Sequence, residues 1–294
     1  MNRILLLLLA LGFPGATAAQ DFRPNLGPEL PRIEVTCGDV TVLLRQASQW
    51  TPGRIDFRGS PMTTEKSAYG TVFLFPEVGF IGTAHLENEP EALQSLSFRL
   101  DGKTIDPATA ELAGKEFSLE RHSRIRDFEL INLFEIRDDR IYETATISTA
   151  KNVPLKLVYH FMHAWAPTAS AYVAGTDDDP ETVHSGPLHD GEEIARKFFV
   201  NDTVDWFAIY EPESGQFAVS RLLEKPEGEK ASSKVWNVPG SYRKYYLTSF
   251  QNQTVPAGFK GTWRMVTGFG ESSPRQFEKR AKAVAETLRS EVEP

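Results

Sequence analysis

Residues 155–165 read LKLVYHFMHAW. Aromatic and apolar side chains dominate, the loop-like Lys151, Asn152, Val153 and Pro154 precede them, and Pro167 follows. The stretch reads as a β-strand. Side chains alternate faces along a strand, so Leu155, Leu157, Tyr159, Phe161, His163 and Trp165 share one side. Lys156, Val158, His160 and Met162 share the other. One face then carries a phenol, an imidazole and an indole, which supply stacking surfaces and groups for hydrogen bonding and proton transfer. A buried strand whose Tyr and His tips find partners in the core would show the same stripe.

Working outward, short apolar runs separated by turns fill most of the chain. Residues 33–36 and 40–44 bracket Gly38-Asp39, a hairpin signal. Strands follow at 53–57, 70–75, 80–85 and 93–100. A further strand begins at 116–121, and 128–136 and 140–147 flank Asp138-Asp139 as a second hairpin. After residue 165 comes a polar, Gly- and Pro-containing interruption at 175–190, read as a loop. Strands resume at 197–200, 206–210, 215–222, 235–236, 244–250 and 261–266, with a charged loop at 225–233. The end differs. Ser273 and Pro274 start a helix, and Phe277, Ala281, Val284 and Leu288 form one apolar stripe. The pattern predicts an all-β fold, a large antiparallel β-sandwich or barrel, with a C-terminal amphipathic helix over 273–291 lying on a sheet. No internal repeat or second boundary is visible, so 32–294 reads as a single domain.

Residues 1–18 read as a bacterial type of signal peptide. Arg3 supplies the charge, 4–11 the apolar core and Ala16-Thr17-Ala18 the cleavage site. A Pro-rich arm at 19–31 follows. The expected location is periplasmic or secreted, with no membrane insertion, since no run approaches the ~20 apolar residues that span a bilayer. The one cysteine, Cys37, lies in an apolar strand and reads as a small buried hydrophobe. The formal charge of −8 and the lack of a basic run argue against nucleic acid. An acidic polysaccharide is disfavoured by the overall field, though a local cationic cluster can override it.

A strand-rich chain of this size with strand-borne His85 and His163 resembles the galactose-mutarotase-like β-supersandwich proteins. That group includes aldose epimerases, sandwich domains of some polysaccharide lyases, and carbohydrate-binding members without known activity. The resemblance covers about residues 32–266. It implies His85 and His163 on the concave face of a sheet and a late carboxylate as general base, for which Glu211 is a candidate on position. The partner it implies is a carbohydrate.

Epimerisation needs an acid at the ring oxygen and a base at the anomeric hydroxyl, for which His163 with Glu143 or Glu211 would serve. Lyase chemistry needs a cation on a uronate carboxylate and a base beside it. Arg121, His122, Arg124 and Arg126 offer the cations, and Tyr159 would be the base if they lowered its pKa. Arg121 and Ser123 fall on one face of that strand; His122, Arg124 and Arg126 fall on the other. The catalytic set is therefore His85, Arg121, His122, Tyr159 and His163, with Arg124, Glu143, Trp165 and Glu211 binding substrate and Trp165 stacking on a sugar face. No cofactor motif appears. His160 and His163 fall on opposite faces, which separates them as metal ligands. His184 and His189 with Asp177, Asp178 and Asp179 could hold calcium or zinc, but match no EF-hand spacing. The alternative function is a non-catalytic carbohydrate-binding or cell-surface structural protein.

Overall fold

The computed structural model describes residues 31–65, 69–85, 87–107, 110–179, 183–190 and 197–291. The expected signal peptide and nearly all of the arm lie outside them. Among the described residues the chain is an all-β sandwich with one α-helix near its end.

Ten strands form the large sheet. In spatial order they are Val183–Pro187, Ala171–Gly175, Trp206–Glu211, Gln216–Glu224, Lys260–Glu271, Arg140–Thr149, Phe128–Arg137, Phe117–Ile125, Ala92–Leu100 and Lys103–Thr104. Every pairing within it is antiparallel. A six-stranded sheet runs Phe198–Asp202, Ser232–Val238, Tyr242–Ser249, Leu157–Trp165, Val72–Phe75 and Gly79–Gly82. A separate two-stranded sheet pairs Val153–Leu155 with Gln253–Val255, and a five-stranded sheet runs from Ser60–Pro61 through Pro52–Phe57, Val40–Arg45 and Arg32–Cys37 to Ala110–Gly114. The last pair of the five-stranded sheet is parallel.

Both expected hairpins form. Gly38 supplies the left-handed turn of the first, while Asp138 and Asp139 both have φ near +55° in the second. Their tips touch, with the Asp39 N–H donating to Asp139 Oδ1 at 2.6 Å. The polar stretch at 175–190 departs from its loop reading. Val183–Pro187 forms an edge strand with an exposed–half-buried alternation, too polar to be read from hydrophobicity. The strands Ala110–Gly114 and Ala171–Gly175 are also additions to the sequence reading.

The core lies between the inner faces of the sheets. Phe73, Phe117, Phe128, Ile147, Val158, Phe207, Tyr245 and Trp263 are among its buried members. Each fully buried large apolar side chain contributes about 1.5–3 kcal/mol. The helix Phe277–Arg289 packs on the opposite side of the large sheet. Its Phe277, Ala281, Ala285 and Leu288 are buried against Trp206, Ala208, Tyr210, Phe217, Val219 and Val266. Arg221 is buried beneath it and donates to the Ala285 carbonyl at 3.2 Å.

The strand Leu157–Trp165 departs from plain alternation at one residue. Opposite Tyr242–Ser249, His160 pairs with Leu247 but His163 pairs with Tyr245, so three steps face two. The extra residue is Phe161, whose φ is +54°. This is a β-bulge. It puts His160, His163 and Trp165 on the inner face with Tyr245 and Leu247. Tyr159, Met162 and Ala164 lie on the outer face, clustered with Tyr69, Val72 and Ala84. Tyr159 therefore does not share a face with His163 and Trp165, and His160 and His163 are not on opposite faces.

Candidate functional site

The outer face of the six-stranded sheet assembles a polar cluster from three strands and the segments that carry Tyr69 and His85. Tyr159 comes from the bulged strand. Lys244 and Tyr246 come from Tyr242–Ser249, where residues 242, 244 and 246 alternate outward while Arg243, Tyr245 and Leu247 point into the core. Trp236 pairs with Lys244 from the next strand. His85 enters from the turn after Gly79–Gly82, with the Tyr69 ring tilted against its own at 4.2 Å between centres. Lys244, Trp236, Tyr69 and Tyr246 did not stand out from the sequence. A signal existed: a lysine flanked two residues either way by tyrosines, on the strand face opposite an apolar one.

Glu87, His85 and Tyr159 form a chain. Glu87 Oε1 contacts His85 Nδ1, and His85 Nε2 contacts the Tyr159 hydroxyl. A carboxylate only accepts, so the ring proton sits on Nδ1 and Nε2 accepts from the phenol. Burial lowers the His85 pKa against the opposing pull of Glu87, and Lys244 lowers it further. Burial also drives the Tyr159 pKa well above the usual phenol value, reinforced by Tyr69 and Glu87. Tyr159 is thus a protonated donor at neutral pH, and the expected phenolate base lowered by arginines is corrected. What the chain can do is relay. Tyr159 passes its proton to His85 as it takes one from a substrate hydroxyl, and Glu87 steadies the resulting imidazolium. Burial lowers the Lys244 pKa to about 8.

The other residues singled out from sequence lie elsewhere. His163 Nε2 bonds Glu143 Oε2 at 2.8 Å, but on the inner face, where His163 is buried. Trp165 is 1 % exposed and meets His163 edge-on at 5.1 Å, so its faces are closed to a sugar. Arg121 is also internal, with Nη1 3.6 Å from Glu91. It lines a narrow pocket of about 480 Å³, including space open to solvent, with Trp50, Thr71, Asn132, Glu143 and Phe161. His122 bonds Glu120 and Arg124 donates to the Arg126 carbonyl, both on the outside of the large sheet. Glu211 accepts from Thr168 Oγ1 and the Glu213 N–H beside a separate hollow of about 740 Å³. The nine residues therefore do not converge on one site: His85 meets Tyr159 on the outer face, Glu143, His163 and Trp165 meet inside with Arg121 lining a pocket beside Glu143, and His122, Arg124 and Glu211 stand apart. Nor do His184 and His189 gather a metal set; His184 faces Asp202, and no group of three His, Cys, Asp or Glu suited to an ion occurs among the described residues.

No family model and no curated protein matches the sequence. Among solved structures, the chain is similar to a proposed aldose 1-epimerase from Escherichia coli K12. The TM-score is 0.48 at 9% identity, covering 82% of this chain and 99% of that one. It is also similar to a galactose mutarotase related enzyme from Lactobacillus acidophilus, with a TM-score of 0.47 at 5% identity over 83% and 98% of the two chains. A galactose mutarotase-like protein from Lactobacillus casei gives 0.45 at 10% identity over 81% and 100%. These belong to the group named from the sequence, and at such identity they assign no activity or residue role to this chain.

Proposed function

We propose that this is an exported carbohydrate-binding protein whose saccharide site is the outer face of the six-stranded sheet, with His85 and Tyr159 as its proton-transfer pair. One observation carries the reading. The buried His85–Tyr159 pair, backed by the exposed Glu87, and the half-buried Lys244 share a single face with Tyr69, Trp236 and Tyr246. Sugars present apolar C–H faces and hydroxyl rims, which suit aromatic walls with polar tips. The relay fits a base that takes a proton from a sugar, in epimerase or lyase chemistry. A non-catalytic sugar-binding role is the second reading, favoured by the 3 % exposure of Tyr159.

The test is calorimetric titration with a glycan panel, alongside polarimetry for anomer exchange and absorbance for unsaturated uronate products. Tyr159→Phe keeps the ring and removes the transferable proton. It is expected to bind sugar while losing turnover by about 10²-fold or more. Equal turnover in Tyr159→Phe removes Tyr159 from the reaction, glycan binding without turnover by the parent leaves the non-catalytic role, and binding of no glycan removes the sugar site.

A further inference from the structure

Lys244 holds its charge in unusual company. Its Nζ lies 5.3–5.5 Å from the ring centres of Tyr69, Tyr159, Trp236 and Tyr246. Among the described residues no carboxylate comes within ion-pair distance of it; Glu87, the acid nearest in effect, is engaged by His85. Ring quadrupoles offset only part of the hydration that a half-buried ammonium gives up. The cation is therefore left to be completed by an anion from outside.

The arginines that the sequence suggested for that task are committed elsewhere. Arg121 faces Glu91 between the sheets, Arg124 lies near Glu129, and Arg126 is held by Glu89. Beside the His85–Tyr159 pair, the cation is Lys244. The complementary ligand has an apolar ring face to lie on Trp236 and Tyr246, the half-buried rings of the set, and a carboxylate projecting from that ring. A hexuronate has both.

We infer that the outer-face site selects acidic sugars, with a uronate carboxylate paired to Lys244 Nζ. This rests on the reading of that face as a saccharide site. The pairing also serves the chemistry, because neutralising the carboxylate acidifies the adjacent C–H and places it near the relay. The chain's net charge of −8 opposes long-range attraction of a polyanion, so selection here is a contact effect.

The experiment compares galacturonate, glucuronate and mannuronate trimers with their methyl-esterified forms by calorimetry. Esterification removes the charge and keeps the sugar. One acid trimer is expected to bind about tenfold or more tighter than its ester, the size of a charge-assisted hydrogen bond. In Lys244→Met, with circular dichroism checking the fold, the acid-to-ester ratio falls to about one whatever the absolute affinity. Acid and ester binding alike overturns the inference and leaves the sugar site standing. A ratio that survives in Lys244→Met also overturns it. Binding of neither form by the parent protein overturns the inference, and the glycan panel then decides separately whether the sugar site stands.

Discussion

His160 shows what one buried ring costs. It is fully enclosed, with Nε2 3.0 Å from Ser249 Oγ and its ring stacked on Trp263 at 4.6 Å. Burial pushes its pKa down to about 3. The unfolded chain protonates the same ring near pH 6.5, so between these values the unfolded state binds more protons. The neutral ring's contribution is therefore intact above pH 6.5 and is lost as pH falls toward 3. Urea denaturation is expected to show a loss of about 2–3 kcal/mol between pH 6.5 and 4.5, and His160→Phe should flatten that limb. His85, also depressed by burial, acts in the same direction. Glu143→Ala is a separate test of the inner face. It strands His163 Nε2 in the core, and a stability loss of about 1.5–3 kcal/mol is expected from denaturant midpoints. At this scale the sequence pointed to His85 and Tyr159 and to His163 with Glu143, because such residue types are rare inside. It left His163 with either Glu143 or Glu211, of which Glu143 is the partner, and did not pair His85 with Tyr159, since those contacts depend on residues far along the chain.

Elements were more legible than residues. Strand periods and the helix stripe are local properties, so the hairpins around Gly38 and Asp138 and the helix at 277–289 could be read directly. The stripe predicts what docking is worth. Phe277 is buried against Tyr210 and Phe217, at ring distances of 5.2 and 5.8 Å. Phe277→Ala is expected to cost about 3–5 kcal/mol, read as a lowered melting temperature with the β signal in circular dichroism retained before the transition. The bulge at Phe161 was not legible. Nothing in YHFMHAW marks a left-handed residue, and Phe has no intrinsic reason to adopt one. Its position is imposed by the partner strand, and this is why the expected shared face of Tyr159, His163 and Trp165 came apart.

Across the whole molecule, the sandwich rests on its apolar interior with one thiol inside it. Cys37 is 1 % exposed, and burial, aided by Asp101 and Glu116, raises its pKa to about 11. Native protein is expected to resist a thiol-specific disulfide reagent at pH 8, with labelling that follows global unfolding as denaturant rises. Fast labelling without denaturant would show that the five-stranded sheet opens by itself. Which strands join which sheet was not legible, because the ten-stranded order joins segments more than a hundred residues apart. The strand 157–165 ties this architecture to the site, since it carries the His163–Glu143 pair on one side and the His85–Tyr159 pair on the other. Phe161 acts there like an inserted letter in a reading frame. Deleting it would restore plain alternation and leave every neighbour facing as it does now. Inserting one more residue beside it would be a frameshift in space, turning Trp165 out to water and Ala164 in toward the hydrocarbon.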